Sequence, residues 1–412
     1  MALLVFSLQG LTLLYFLKTR KFFFLASLCL FQASQITLPL FYDGFHAIEV
    51  KFWNVSQASL VLLLSTLSLW VGTLLISQFW KPIPVKPKPL STDRGFAPII
   101  FATLVGFSVL LLPLSATRSV AFRMALDLSL LWLILSISIT SLNRIILSGI
   151  PIALLCLVYY AGSLSIQLFL TTVQWIILFC LCDRQFKRAW VLGPIILLAL
   201  TSNYLKPHLR GLIPENAQEI RLPREMITEV FKERRETLLE SGDPIWNFLQ
   251  PSLKRYTDTS LLRVALLTPD VIPFWKGKTY QDILWRFIPR QFRGGHELFS
   301  PWNEFGRVYQ ITKDFDFDTS VSFNFVTEAY MNGGIWVVCG VGIFLGVLFV
   351  ALENTIMSGY LGTPLVALGV LAIRMTVDPV SLGTLLHTTW IWIIALFAFR
   401  HMTKGYVKIT SP

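Results

Sequence analysis

The densest chemistry in the chain runs from Ile288 to Gly334. It holds Arg290, Arg293, His296, Glu304, Arg307 and Tyr309, then Asp314-Phe315-Asp316-Phe317-Asp318, then Glu328-Ala329-Tyr330-Met331-Asn332-Gly333-Gly334 at the start of an apolar run. Arginine forks match phosphate oxygens bidentately. Aromatic faces cover the apolar side of sugar rings. Carboxylates accept hydroxyl hydrogen bonds or serve as a general base. The mixture suits a site for a lipid-linked phosphate and its sugar. The same residues also fit a small outer domain whose charges are solvated or paired, and the pattern alone leaves both readings open.

A second group lies within apolar sequence. Arg374 and Asp378 are four residues apart, so they share one helix face, and Asp378-Pro379 opens a short turn before His387. Ionisable groups inside a membrane are costly and face an interior or a wet cavity. One reading is a cationic pocket floor for a diphosphate, joined from the other side by Arg118, Arg123 and Asp127. The other is a structural Arg374–Asp378 pair with His387 satisfied at the interface. Asp314-x-Asp316-x-Asp318 has the hard oxygen ligands that a divalent cation takes, but alternation with Phe315 and Phe317 equally fits a half-buried strand. Cys180-x-Cys182 has the wrong spacing for a metal knuckle.

The elements that must position these residues follow from composition. Hydrophobic residues make up 54% of the 412, charged residues 14%, and mean hydropathy is +0.62. A soluble domain carries roughly 25% charge, so the balance excludes a disordered chain and argues against an ordinary soluble domain. A membrane span needs about 20 mostly apolar residues. Such runs fall roughly at 1–17, 22–41, 55–80, 96–116, 124–143, 145–162, 164–182, 189–203, 333–352, 363–382 and 384–400. The expected fold is an all-α polytopic membrane protein with about 11 transmembrane helices and one large outer loop subdomain between spans 8 and 9, periplasmic if the chain is bacterial. The chain then divides into 1–203, 204–332 and 333–412.

Charge orients the spans. One set of alternate loops holds 14 basic residues: Lys18, Arg20, Lys21, Lys81, Lys86, Lys88, Arg94, Arg144, Arg184, Lys187, Arg188, Arg400, Lys404 and Lys408. The opposite short loops hold 3: Lys51, Arg118 and Arg123. The amino terminus is therefore expected outside and the carboxyl terminus in the cytoplasm. The basic set less Asp93, Asp183 and Glu353 accounts for the whole net charge of +11. The charge is a topology signal, with no nucleic-acid footprint. Met1–Leu17 lacks the basic start and small-residue cleavage site of a secretory signal. Within the large loop, Pro223–Ser241 reads as an amphipathic helix with Lys232 and Glu236 on its polar face, and Trp246–Tyr256 as a second, shorter helix.

The stretch Tyr280–Gly334 resembles the late periplasmic segment of bacterial O-antigen and exopolysaccharide repeat-unit polymerases, a family related to the O-antigen ligases. The resemblance rests on the order and spacing of Gly277-x-Thr279-Tyr280, Ile288-Pro289-Arg290, Asn303-x-Phe305-Gly306-Arg307-x-Tyr309, Asp318-Thr319-Ser320 and Glu328-Ala329-Tyr330-x-Asn332-Gly333-Gly334, in about 55 residues. After the Pro-Arg step relatives often show Trp-Pro and Lys-Pro, where this chain reads Gln291-Phe292-Arg293-Gly294-Gly295-His296. The resemblance implies a multi-pass protein of the bacterial inner membrane. It implies an inverting glycosyltransferase that joins undecaprenyl-diphosphate-linked repeat units, without cofactor or required metal. Membrane lipid, a flippase and a chain-length regulator of the same pathway are the implied partners. On this reading Arg290, Arg307 and Arg374 hold the diphosphate and Arg293 assists. Glu328 or Asp318 is the carboxylate base, His387 is the alternative base, and Tyr309 and Tyr330 contact sugar.

Three rivals remain. An O-antigen ligase shares the donor but uses lipid A core as acceptor. A secondary transporter favours internal repeats and broken helices meeting at the midplane, and no repeat is present. A purely structural member of an export complex would tolerate loss of every arginine named.

Overall fold

A computed structural model describes residues 1–19, 21–33, 37, 55–83, 259–288, 292–294, 298–315, 321, 323–358, 381–387, 389–390 and 393–394, and also 232, 236, 243–245 and 247–249. Among the described residues every regular element is helical and there is no strand. The chain divides into two compact units, Met1–Lys86 with Thr257–Pro412, and Pro87–Tyr256. In the second unit, Lys232 and Glu236 are helical and exposed, and residues 247–249 are helical, where the two loop helices are expected.

The first unit contains α1 (Ala2–Thr19), α2 (Phe23–Gln32), α3 (Val55–Phe79), α4 (Thr259–Ala265), a 3-10 turn (Lys278–Tyr280), α5 (Ile283–Arg286), α6 (Pro301–Val308) and α7 (Phe325–Met357). Two of its helices are long and apolar enough to cross a membrane, Ser56–Phe79 at mean hydropathy 2.1 and Phe325–Met357 at 2.7. Shorter α1 is apolar from Ala2 to Phe16. The runs expected at 96–116, 124–143, 145–162, 164–182 and 189–203 lie outside the described residues, as does 363–382 except for residues 381 and 382. Of 384–400, residues 384–387, 389–390 and 393–394 are helical.

Helices α3 and α7 pack along a seam of small residues. A methyl group on Gly72 would overlap the Ile343 carbonyl, one on Gly342 would overlap Ser68, and one on Gly346 would overlap the Leu69 carbonyl. Gly342 and Gly346 are one helical turn apart, so together they present a flat strip on which α3 lies backbone to backbone. In an apolar solvent this close van der Waals approach is what holds helices together, since lipid offers no hydrophobic drive between them.

The carboxyl-terminal end of α7 ties down its neighbours. Glu353, expected in a cytoplasmic loop, is instead helical and 2% exposed. Its carboxylate accepts the Phe22 N–H at 2.9 Å and the Phe24 N–H at 3.4 Å. These are among the N–H groups that α2 leaves without helical partners at its start, and a negative charge suits that end of the helix dipole. Asn354 next to it accepts the Ile83 N–H at 3.0 Å, which fixes the chain leaving α3.

The amino-terminal end of α7 begins eight residues before the expected span at 333. Asn324 caps it by accepting the Thr327 N–H at 2.9 Å. The polar letters of 325–332 read as loop, yet they form buried helix because their side chains turn onto the neighbouring segments. Gly333 and Gly334 then interrupt the helix, Gly334 at φ 65, which only glycine adopts without strain. The Phe274 ring packs against Gly334 there.

Candidate functional site

Glu328 lies in the first turn of α7 and is 1% exposed. The Leu382 N–H donates to its Oε2. Leu382 begins the helical residues 382–387, where Ser381 Oγ accepts the Thr384 N–H at 3.3 Å. The carboxylate therefore meets the open amino-terminal end of another helical segment. Thr279, in the 3-10 turn Lys278–Tyr280, is buried. Asn332, one turn along α7, donates through Nδ2 to Thr279 Oγ1 and to the Glu328 carbonyl, both at 2.8 Å. Tyr280 borders the same place. Burial and the Glu328 charge push its phenol above the usual tyrosine range.

Positive charge comes from α5 and the segment after it. The Arg286 guanidinium donates to the Phe299 carbonyl at 3.2 Å, while its Nε is buried without a partner. Burial lowers its proton affinity and the carboxylates of Glu328 and Asp282 raise it, while the Arg293 charge lowers it further. Asp282 in turn accepts the Phe299 N–H. Arg293 is anchored through Nε to the Ile288 carbonyl at 2.7 Å. The charges of both arginines reach His387, whose ring meets Phe287 edge to face at 6.4 Å. Gly383 is closed in by Arg286, since a Cβ there would come to 3.1 Å from Nε. Arg286 is thus the common element: its charge acts on Glu328 and on His387, and the Arg293 charge acts on Arg286 and His387. A carboxylate, two guanidiniums and an imidazole in that arrangement can bind an anion and take a proton.

The remaining expected site residues sit differently. Arg307 in α6 pairs with Glu304 at 2.6 Å, and Lys278 approaches the same carboxylate at 3.3 Å. Tyr309 is buried, with Phe305 at 4.6 Å and Trp275 at 6.4 Å between ring centroids, and its hydroxyl shares a hydrogen bond with Thr268. Burial, opposed in part by that bond, pushes its phenol up to about 12. Tyr330 is buried and its hydroxyl accepts from Gln57 at 3.2 Å. Much of the motif around Arg307 builds the local fold. Phe305 packs edge to face on Phe323 at 5.0 Å, and the Gly306 carbonyl takes the N–H groups of Ile311 and Thr312 at 2.8 and 2.9 Å.

Arg290, Asp318 and Arg374 lie outside the described residues, as do Asp316, Asp378, Arg118, Arg123 and Asp127. Sequence reasoning left Arg286, Asp282 and Thr279 out of the site. A signal existed for the first two, because they stand four apart, the same spacing that drew attention to Arg374 and Asp378. The Leu382 N–H carries no sequence signal, since any residue but proline supplies one. No protein-family model, no curated protein and no solved structure matches this chain.

Proposed function

We propose that the chain is a multi-pass membrane glycosyltransferase that polymerises undecaprenyl-diphosphate-linked oligosaccharide repeat units into O-antigen or exopolysaccharide. On this reading it crosses the bacterial inner membrane about 11 times. The 204–332 segment is periplasmic, the amino terminus is periplasmic and the carboxyl terminus is cytoplasmic. The observation that carries the reading is the buried Glu328 carboxylate at the start of the apolar helix α7, bonded by the Leu382 N–H, with the Arg286 side chain packed against the adjacent Gly383.

The reaction divides between these groups. An acceptor sugar hydroxyl attacks the anomeric carbon of the lipid-linked donor. The new glycosidic bond forms as the bond to the lipid diphosphate breaks, with inversion. The hydroxyl proton passes to Glu328, with Asp318 or His387 as the alternative base. The departing diphosphate carries its electron pair into the field of Arg286 and Arg293, with Arg290, Arg307 and Arg374 completing the cationic set. A lipid diphosphate leaves readily, so no protein acid is required.

Sugar-chain analysis of a deletion strain tests the function and separates it from its nearest rival. Chains of a single repeat unit on the lipid or its acceptor are the expected result. Long lipid-linked chains that fail to reach lipid A core would mean a ligase. Normal chains would overturn both. A vesicle uptake assay with purified protein tests the transporter reading. Transport without a glycan product would replace the enzyme assignment.

A further inference from the structure

The chain between α4 and α6 holds large apolar side chains in the open. Val271 is 71% exposed, Leu284 78% and Phe292 72%, and Trp285 and Phe287 are exposed with them. Single apolar residues on a surface need no explanation, whereas a run of them marks a partner.

Both exposed segments are tied to apolar helices. The Trp275 N–H donates to the Met331 carbonyl at 2.9 Å, and Phe274 packs against Gly334. That holds 271–275 beside the point where α7 turns wholly apolar, and Trp336, two residues beyond Gly334, is 86% exposed. In the other segment, Arg286 lies against Gly383 and the Phe287 ring meets the Trp390 ring at 6.4 Å between centroids. Trp390 and Ile394, in the same apolar run, are themselves exposed. The open side chains of the loop therefore continue the open faces of the apolar helices, and what solvates Trp336 and Trp390 also reaches Phe274 and Phe287.

Charge selects the occupant. The whole of 204–331 holds 17 bases and 17 acids, but 271–293 holds five bases, Lys276, Lys278, Arg286, Arg290 and Arg293, against the single acid Asp282. A second copy on this face would set the same excess of bases against itself. A lipid surface offers phosphates to the bases and acyl chains to the apolar side chains, and tryptophan favours that boundary.

We propose that 271–275 and 284–288, with Phe292, lie in the lipid surface, their apolar side chains sunk to the boundary of headgroups and acyl chains and their basic residues among the headgroup phosphates. Backbone without regular helix is tolerated at that depth because headgroup water still reaches its polar groups. The inference rests on the reading of α7 as a membrane span and is independent of the chemistry proposed for Glu328.

The test uses the purified full-length chain in nanodiscs of phosphatidylethanolamine and phosphatidylglycerol. A diazirine that partitions into acyl chains and a charged, water-soluble diazirine are photolysed in parallel, and labelled residues are mapped by mass spectrometry. Leu74 and Leu75 on α3 and Phe344 on α7, all exposed, are the lipid-facing references. Val271, Leu284 and Phe292 are expected to take the apolar reagent with those references, and to take it more heavily than the charged one. Labelling of the three chiefly by the charged reagent would mean that the segments stand in water. Labelling by neither would mean that protein covers them. Either result overturns the inference while the references keep their label. Loss of apolar labelling at Leu74, Leu75 and Phe344 would instead overturn the membrane reading of α3 and α7, and the inference with it.

Discussion

Glu353 accepts the backbone N–H of Phe22 at 2.9 Å, across 331 residues of sequence. One carboxylate on α7 thereby closes the start of α2. Glu353→Ala would leave those N–H groups buried without an acceptor, at a cost of about 1–3 kcal/mol. The melting temperature in detergent is expected to fall for Ala and to fall less for Gln, which keeps an acceptor oxygen. An Ala variant that melts with the wild type would remove the capping role.

The seam between α3 and α7 predicts a sharp difference between neighbouring glycines. Gly346→Ala forces a methyl into the Leu69 carbonyl and is expected to cost about 1–3 kcal/mol through overpacking. Gly340 meets nothing within 4 Å on the same helix. Gly340→Ala should therefore stay within about 1 kcal/mol of wild type. Equal losses at both positions in a detergent melt would mean that the seam does not decide the packing.

Arg307 is held by Glu304 at 2.6 Å and is partly exposed. If its guanidinium also serves the diphosphate, Arg307→Lys keeps the charge but loses the planar fork, and activity should fall well below wild type. Arg307→Ala should fall further, roughly 30- to 1000-fold. Glu304→Gln should leave the arginine in place and retain most of the activity. A polymerisation assay in which Glu304→Gln and Arg307→Ala behave alike would identify a structural pair and take Arg307 out of the site.

The asymmetry of 14 basic residues against 3 on alternate sides predicts that 204–331 faces the periplasm. A reporter active only outside the cytoplasm should be active when inserted within 241–245. Activity from a cytoplasm-only reporter at that point would reverse the orientation and move the reaction to the other compartment.

Arginines can take the charge that a divalent cation takes in nucleotide-sugar enzymes. Turnover by purified protein should therefore persist in chelator. Loss of turnover that magnesium or manganese restores would instead make Asp314, Asp316 and Asp318 the metal site.

The apolar runs at 1–17 and 55–80 are legible as helices because each is apolar along nearly its whole length, which leaves a signal in each residue. They correspond to α1 and α3. The run at 333–352 was legible only in part. Its helix starts at Phe325, because Glu328 and Asn332 are polar letters whose partners lie 54 and 53 residues away, at Leu382 and Thr279. Glu353 has the look of a loop charge for the same reason, since nothing local shows that the start of α2 needs an acceptor. Residue type alone nominated Glu328, Arg293 and His387 as chemistry. The placing of Arg286 between Glu328 and His387 in charge, and the withdrawal of Tyr309 into an aromatic core, are decided by tertiary packing. A hydrophobic span is written into its own residues, whereas a site assembled from four segments depends on distances that only the folded chain sets.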